Sequence, residues 1–72
     1  MDNQQKTTDA LRDEVFAAAV ELFEGDQQAA DAWLNQPLRA IGNEVPTVYM
    51  DSPERIETVR DIIGRLEHGV WA

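Results

Sequence analysis

The 72-residue chain is strongly acidic, with fourteen Asp and Glu against six Lys and Arg and a formal net charge of −8. A chain of this length forms one domain that buries only about 60% of its unfolded surface, so a deep catalytic cleft is not expected. The few basic residues are scattered, which argues against direct nucleic-acid binding through this segment. The acidic surface suits a basic protein partner, or it serves solubility.

Residues for metal or acid–base chemistry are scarce. Cysteine is absent and histidine occurs once, so neither a disulfide nor a Cys/His zinc site is expected. Glu67 and His68 are adjacent and therefore point about 100° apart on a helix, which does not make a positioned acid–base pair. No glycine loop of the phosphate-binding type occurs. We expect no enzyme activity, no metal and no cofactor.

Targeting and membrane signals are also missing from the sequence. No apolar run approaches the roughly 18 residues of a membrane span, and the polar start at residues 1–6 lacks the apolar region of a signal peptide. The expectation is a cytoplasmic protein without a membrane partner.

The first half of the chain predicts two helices. After a flexible lead-in over residues 1–8, a helix is expected to begin at Asp9, as its cap, and to stop at Gly25 in the left-handed conformation. Asp26 is the expected cap of a second, short helix over residues 27–36. The apolar stripe of the first helix consists of Leu11, Val15, Ala18, Ala19 and Leu22, widened by Phe16 and Phe23.

Within the second helix, Trp33 is the expected single core anchor, with its indole N–H satisfied. Pro37 limits this helix because the residue before a proline avoids the α region. In the loop-rich centre over residues 37–52, Leu38 and Ile41 are expected to plug the core. Pro46 is expected to open a short helical turn that carries Val48, Tyr49 and Met50.

The last helix has the clearest start signal, because Ser52 is a favoured cap and Pro53 suits the first helical position. Its apolar residues form a narrow seam, Ile56, Val59, Ile63 and Leu66, broadened by Ile62. Gly64 lies inside the helix at a cost of about 1 kcal/mol relative to alanine. This suggests that another backbone approaches closely there, within the fold or across an interface. The predicted fold is all-α, a small bundle of two longer and two short helices with an apolar C-terminal tail.

The tail is the most informative segment. The helix is expected to end at His68 and Gly69, and the residues that follow are Val70, Trp71 and Ala72. Either the core of the domain buries Val70 and Trp71, or a partner does. Arg and Trp are favoured hot-spot residues at protein interfaces, and composition alone leaves the two alternatives equal.

An ordered set of short sequence pieces spans residues 11–72 and is similar to one family. The pieces are Glu21-Leu22-Phe23-Glu24-Gly25-Asp26, Ala29, Trp33-Leu34, Pro37-Leu38, Ile41-Gly42, Pro46 and Gly64-Arg65-Leu66-Glu67-His68-Gly69-Val70-Trp71. Together they resemble the toxin-binding domain of the Xre/MbcA/ParS antitoxins, bacterial type II antitoxins that pair with RES-domain toxins. Residues 9–72 would form this domain.

The resemblance implies a function by protein–protein interaction. Members of the family typically dimerise and repress their own operon through an N-terminal helix-turn-helix domain. Their C-terminal domain neutralises a toxin that acts on NAD, by degrading it or by transferring ADP-ribose, and the chain end covers the toxin's active-site cleft. The partner would be a cognate RES-domain toxin. The chain would form a homodimer, or a hetero-oligomer with the toxin. The residues of the inhibitory end would be Arg65, His68, Gly69, Val70, Trp71 and Ala72.

Two features depart from the family pattern. Residues 1–10 are too few for a helix-turn-helix, so DNA autoregulation does not transfer, and the chain is expected to be an excised domain or a stand-alone toxin binder. The segment Asn43-Glu44-Val45-Pro46 also differs from the glycine and small polar cap that usually precede this proline. An altered local turn is expected there.

Two other functions are kept as alternatives. One is a dimerisation or adaptor module without a toxin, in which Ile56, Val59, Ile63 and Gly64 mediate self-association. The other is a small enzyme that uses His68.

Overall fold

The structure, a computed structural model, describes residues 7–69. Four α-helices and one 3₁₀ turn make up this part of the chain, and it contains no strand. The all-α prediction, with two longer and two short helices, is confirmed. The elements in chain order are α1 (Thr8–Leu22), α2 (Gln27–Leu34), the 3₁₀ turn (Arg39–Ile41), α3 (Pro46–Tyr49) and α4 (Pro53–Glu67).

The core lies between α1 and α4, and α2, which also packs on α1, contributes Ala30 and Leu34 to it. Apolar residues recur every three or four positions on the two long helices, so each helix turns one stripe inwards. The buried cluster consists of Val15, Ala19, Ala30, Leu34, Met50, Ile56, Val59 and Ile63. The predicted seam of α4 is therefore used inside the chain, against α1.

The start of α1 differs from the prediction. Thr7, not Asp9, is the N-cap: its hydroxyl accepts a hydrogen bond from the Ala10 amide at 3.1 Å, and its carbonyl accepts one from Leu11 at 3.0 Å. With the earlier start, the amides of Ala10 and Leu11 find hydrogen-bond acceptors on Thr7. A helix capped at Asp9 would not provide these acceptors. Asp9 instead lies in the first turn, where its charge suits the positive end of the helix dipole.

The end of α1 also differs, since the left-handed position falls one residue before the expected glycine. Glu24 has φ +57° and its amide donates to Glu21, while Gly25, with φ +90°, donates to Val20 at 2.8 Å. These two bonds define a Schellman motif, in which the residue at Glu24 carries the left-handed turn. A glutamate at this position is strained, because its Cβ crowds the backbone.

The start of α2 is as predicted, because the Asp26 carboxylate accepts from the Ala29 amide at 3.0 Å. The helix ends at Leu34, two residues before the predicted limit. Asn35 leaves the helix to donate its side-chain amide to the Asp31 carbonyl at 2.8 Å, and it accepts from the Thr47 hydroxyl at 3.1 Å. This side chain therefore joins the end of α2 to α3.

The prediction that Trp33 is the core anchor is wrong. Leu34 fills the core and is 3% exposed, whereas Trp33 is half-buried and packs at the edge of the core. The indole ring lies against Phe23, with 6.3 Å between ring centroids and a tilt of 59°. Two tilted rings at this distance attract each other, so Trp33 contributes to the wall of the bundle rather than to its centre.

The loop-rich centre supplies part of the core. Ile41 and Met50 are buried and Leu38 is half-buried, while Val48, on the short turn that Pro46 opens, is 69% exposed. Gly42 and Asn43 both have positive φ, +72° and +66°. Asparagine tolerates this conformation better than most residues, so the turn that departs from the family pattern forms without a second glycine.

Three polar contacts tie the long helices to their surroundings. Pro46 opens α3 as predicted, and the guanidinium of Arg12 donates to the Thr47 carbonyl on this turn. The Ser52 hydroxyl caps α4 by accepting from the Arg55 amide at 3.4 Å. On the exposed side of the α1–α4 pair, Arg60 donates to a carboxylate oxygen of Glu14 at 2.8 Å.

Gly64 does not mark a close approach of another backbone within the described fold. Apart from its chain neighbours and the nearby backbone of α4 itself, a Cβ built on Gly64 meets nothing of residues 7–69 within 4 Å. The expectation of close contact inside the fold is therefore wrong for this part of the chain, and a contact across an interface stays a prediction.

Candidate protein-interaction site

One end of the bundle brings the C-terminal ends of α1 and α4 together beside α2. A groove of about 300 Å³ opens there. Its walls are four large apolar residues, none of which is fully buried, and they come from three helices and the turn after α1. They are Leu22, Phe23, Trp33 and Leu66.

A second, polar cleft of about 490 Å³ adjoins this groove and shares two of its residues, Leu22 and Leu66. Three glutamates line it, Glu21 and Glu24 at the end of α1 and Glu67 at the end of α4. All three residues are exposed. Because the cleft adjoins the groove, these three glutamates form an acidic rim beside it.

The electrostatic character of this end is negative for two independent reasons. Two helices point their C-terminal, partially negative ends at it, and three carboxylates are added to them. His68 is also on the lining, and Arg65 is exposed in the last turn of α4. A partner with cationic groups around an apolar centre matches this surface best.

The end of α4 turns at the residue that the sequence indicated. The His68 amide donates to Gly64 at 3.2 Å, and the Gly69 amide donates to Leu66 at 3.1 Å. Gly69 has φ +70°, a left-handed conformation in which the chain leaves the helix axis. Gly69 is the last residue that the structure describes, and the helix has ended there.

The predicted site residues are thus partly placed. Arg65, His68 and Gly69 are exposed at this end of the bundle, while Val70, Trp71 and Ala72 lie outside the described residues. The apolar groove itself was not predicted. Leu22 and Phe23 were assigned to the core stripe, and only their position beside the helix stop at Glu24 could have indicated that the core does not cover them.

The residues proposed for self-association have a different environment. Ile56, Val59 and Ile63 are at most 1% exposed and pack within the core of their own chain. A second copy cannot reach them unless the bundle opens, so these three residues are not available for self-association of the folded bundle. Gly64 is half-buried, and nothing in the fold of residues 7–69 tests its role at an interface.

Within residues 7–69 no group of three or more His, Cys, Asp and Glu side chains is placed to hold a metal ion. None of the helices described is long and apolar enough to cross a membrane. What this end of the bundle presents is a compact apolar groove with an acidic rim, the arrangement of a protein-interaction surface.

Fold and site together define a small all-α interaction module. Comparison with known proteins gives its family: residues 18–69 match the model for the antitoxin Xre/MbcA/ParS C-terminal toxin-binding domain, and the chain belongs to this family. The resemblance seen in the sequence is thereby confirmed.

Two curated relatives carry the name antitoxin Xre. The protein from Yersinia enterocolitica is 40% identical over 58 residues, which is 81% of this chain and 39% of the relative. The protein from Photorhabdus laumondii is 38% identical over 56 residues, 78% of this chain and 38% of the relative. The chain thus spans about two fifths of the length of these relatives. No solved structure matches it with significance.

Proposed function

We propose that the chain binds and neutralises a RES-domain toxin that consumes NAD, with the C-terminal tail covering the active-site cleft of the toxin. The observation that carries the proposal is membership of a toxin-binding family whose matched region runs to Gly69, directly before the Val70-Trp71-Ala72 tail. The bundle would act in the bacterial cytoplasm, where the toxin finds its NAD.

In this mechanism α4 positions the tail relative to the rest of the bundle. Its core seam, with Ile63 1% exposed, fixes the helix on α1, so the position of the last turn is set by a rigid element. The left-handed conformation of Gly69 then directs the chain away from the helix axis. Val70 and Trp71 are the groups proposed to enter the cleft, since a tryptophan desolvated in a pocket is the typical hot-spot residue.

The acidic end of the bundle supports the same partner. A site that binds the two phosphates of NAD is commonly electropositive, through cationic side chains or helix N-termini, and a protein that covers the site meets this positive potential. Glu21, Glu24 and Glu67 supply three carboxylates beside the root of the tail. Complementary charge increases the rate of association and fixes orientation. Arg65 and His68 are proposed to form polar contacts at the edge of the same interface.

Binding and self-association are separated by one set of experiments. A RES-domain protein encoded beside this gene would be purified and titrated with the 72-residue chain in a calorimeter, and each protein alone would be sedimented. Binding is expected, with weaker binding by a chain that ends at His68. A chain that shows no binding and sediments as a stable dimer would contradict the proposal and favour the adaptor alternative.

A further inference from the structure

We propose that the apolar groove formed by Leu22, Phe23, Trp33 and Leu66 is a binding site for an aromatic side chain, and that its occupant is Trp71 of the same chain when no partner is bound. The groove lies at the root of the tail, and it is the place where four large apolar residues remain incompletely covered by residues 7–69. The docking itself does not depend on the toxin.

The first argument is size and chemistry. A volume of about 300 Å³ is at the lower end for small-molecule sites, which suits one large side chain. The walls include two aromatic rings, Phe23 and Trp33, already tilted against each other at 6.3 Å. A third ring can add an edge-to-face contact to such a pair.

The second argument is reach and direction. Leu66 is a wall of the groove and lies only three residues before Gly69. Because an extended chain spans at most about 3.6 Å per residue, the Cα of Trp71 is within roughly 7 Å of the Cα of Gly69. Gly69 also has φ +70°, the left-handed conformation at which the chain leaves the direction of the helix. The tether therefore holds the indole at a high local concentration beside the groove.

The third argument is the acidic rim. Buried indoles usually donate their N–H group. The adjoining carboxylates are acceptors for it at the mouth of the groove.

The consequence for inhibition rests on the proposed function. A tail held in its own groove must leave it to enter the toxin. The apparent Kd for the toxin is therefore the intrinsic Kd divided by the fraction of tails that are free. The groove would thus set how readily the tail is released to a partner.

Tryptophan fluorescence tests the docking with the isolated chain. In a 72-residue W33F variant, Trp71 is the only tryptophan, and Trp33→Phe keeps an aromatic wall. We expect blue-shifted emission and quenching by acrylamide severalfold weaker than for the same chain in concentrated urea. Adding Leu66→Gln to W33F should move the emission wavelength and the acrylamide quenching of Trp71 towards the values measured in urea. Adding Val48→Gln, at a residue 69% exposed and outside the groove, should leave them unchanged.

A second measurement covers the case in which Leu66→Gln does not fold. In a chain that ends at Gly69, Trp33 is the only tryptophan, and removal of the tail should increase its quenching by acrylamide. The docking is overturned if Trp71 is quenched in W33F as readily as in urea, if Leu66→Gln and Val48→Gln behave alike in folded variants, or if the shortened chain leaves Trp33 unchanged.

The two proposals fail separately. A docked Trp71 together with toxin inhibition that does not need the tail would contradict the proposed mechanism and leave the groove site standing. An exposed Trp71 together with tail-dependent inhibition would contradict the groove site and leave the proposed mechanism standing.

Discussion

Leu22, the last residue of α1, and Leu66, in the last turn of α4, together separate an apolar groove from an acidic cleft, and each lines both. The two residues are 44 positions apart in the sequence and meet because the α4 seam packs along α1. The same packing that builds the core therefore also brings two helix ends together. The surface that results is well suited to hold or present a short apolar peptide.

Glu24→Gly is expected to stabilise the domain. Glu24 has φ +57°, and a non-glycine residue in this region is strained by about 1–2 kcal/mol, part of which glycine loses again through its greater freedom in the unfolded chain. The net expectation is a free energy of unfolding higher by about 0.5–1 kcal/mol in urea titration.

Glu21→Gly is the matched control, because Glu21 is also an exposed glutamate but lies inside α1. It should lower the free energy of unfolding by about 1 kcal/mol. If both substitutions destabilised the domain equally, the left-handed position of Glu24 would be wrong.

Ile63→Ala is expected to destabilise the domain severely. Ile63 is 1% exposed in the α1–α4 core, and truncating a buried isoleucine costs about 2–5 kcal/mol through lost burial and a residual cavity. Val48→Ala, at a residue 69% exposed, should stay within about 0.5 kcal/mol of the parent. A small effect at Ile63 in chemical unfolding would show that the seam of α4 is not the core.

Gly64→Ala is expected to raise the free energy of unfolding by about 1 kcal/mol, since alanine is the better helix former and a Cβ there meets nothing of residues 7–69 within 4 Å beyond its chain neighbours and the nearby backbone of α4. Gly69→Ala should act in the opposite direction, because φ at Gly69 is +70°.

Sedimentation of the same Gly64→Ala protein tests the interface alternative. If Gly64 allows a second copy to approach closely, the added methyl group should weaken a dimer. A more stable protein with unchanged association would remove Gly64 from any dimer contact.

Neutralising the acidic rim is expected to slow association with the toxin. The variant Glu21→Gln, Glu24→Gln and Glu67→Gln removes three charges beside the groove. At low ionic strength the association rate constant should fall by about tenfold, and less in high salt, because steering is screened there. Stopped-flow mixing measures the association rate constant at low ionic strength and in high salt.

A charge-matched variant gives the control for this experiment. Glu54→Gln, Glu57→Gln and Asp61→Asn remove three exposed charges from α4 without touching the rim. An equal loss of rate in both variants would mean that net charge, not the rim, steers the encounter.

Local signals predicted the fold well where a cap and a helix breaker coincide. Asp26 after a glycine, and Ser52 before a proline, gave the starts of α2 and α4 correctly. At Thr7 and Glu24 the choice between neighbouring positions depended on one or two hydrogen bonds, which residue preferences do not resolve.

The candidate site was harder to predict because it is assembled from distant segments. Trp33 was expected in the core from its size, but the core is completed by its neighbour Leu34, and the indole is left to line a groove with Phe23. Nothing in the sequence around Trp33 indicates that Leu66 lies on the same groove. Only tertiary packing decides which large apolar residues stay partly exposed.

The most direct test of the central claim is toxin inhibition by the 72-residue chain with and without the Trp71 side chain. NAD consumption by the cognate RES-domain toxin would be measured against increasing concentrations of the parent, of Trp71→Ala and of Val48→Ala. The account predicts that Trp71→Ala loses inhibition by at least about tenfold, as expected for a hot-spot residue, with an unchanged circular dichroism spectrum, while Val48→Ala inhibits like the parent. Equal inhibition by all three would contradict the tail mechanism.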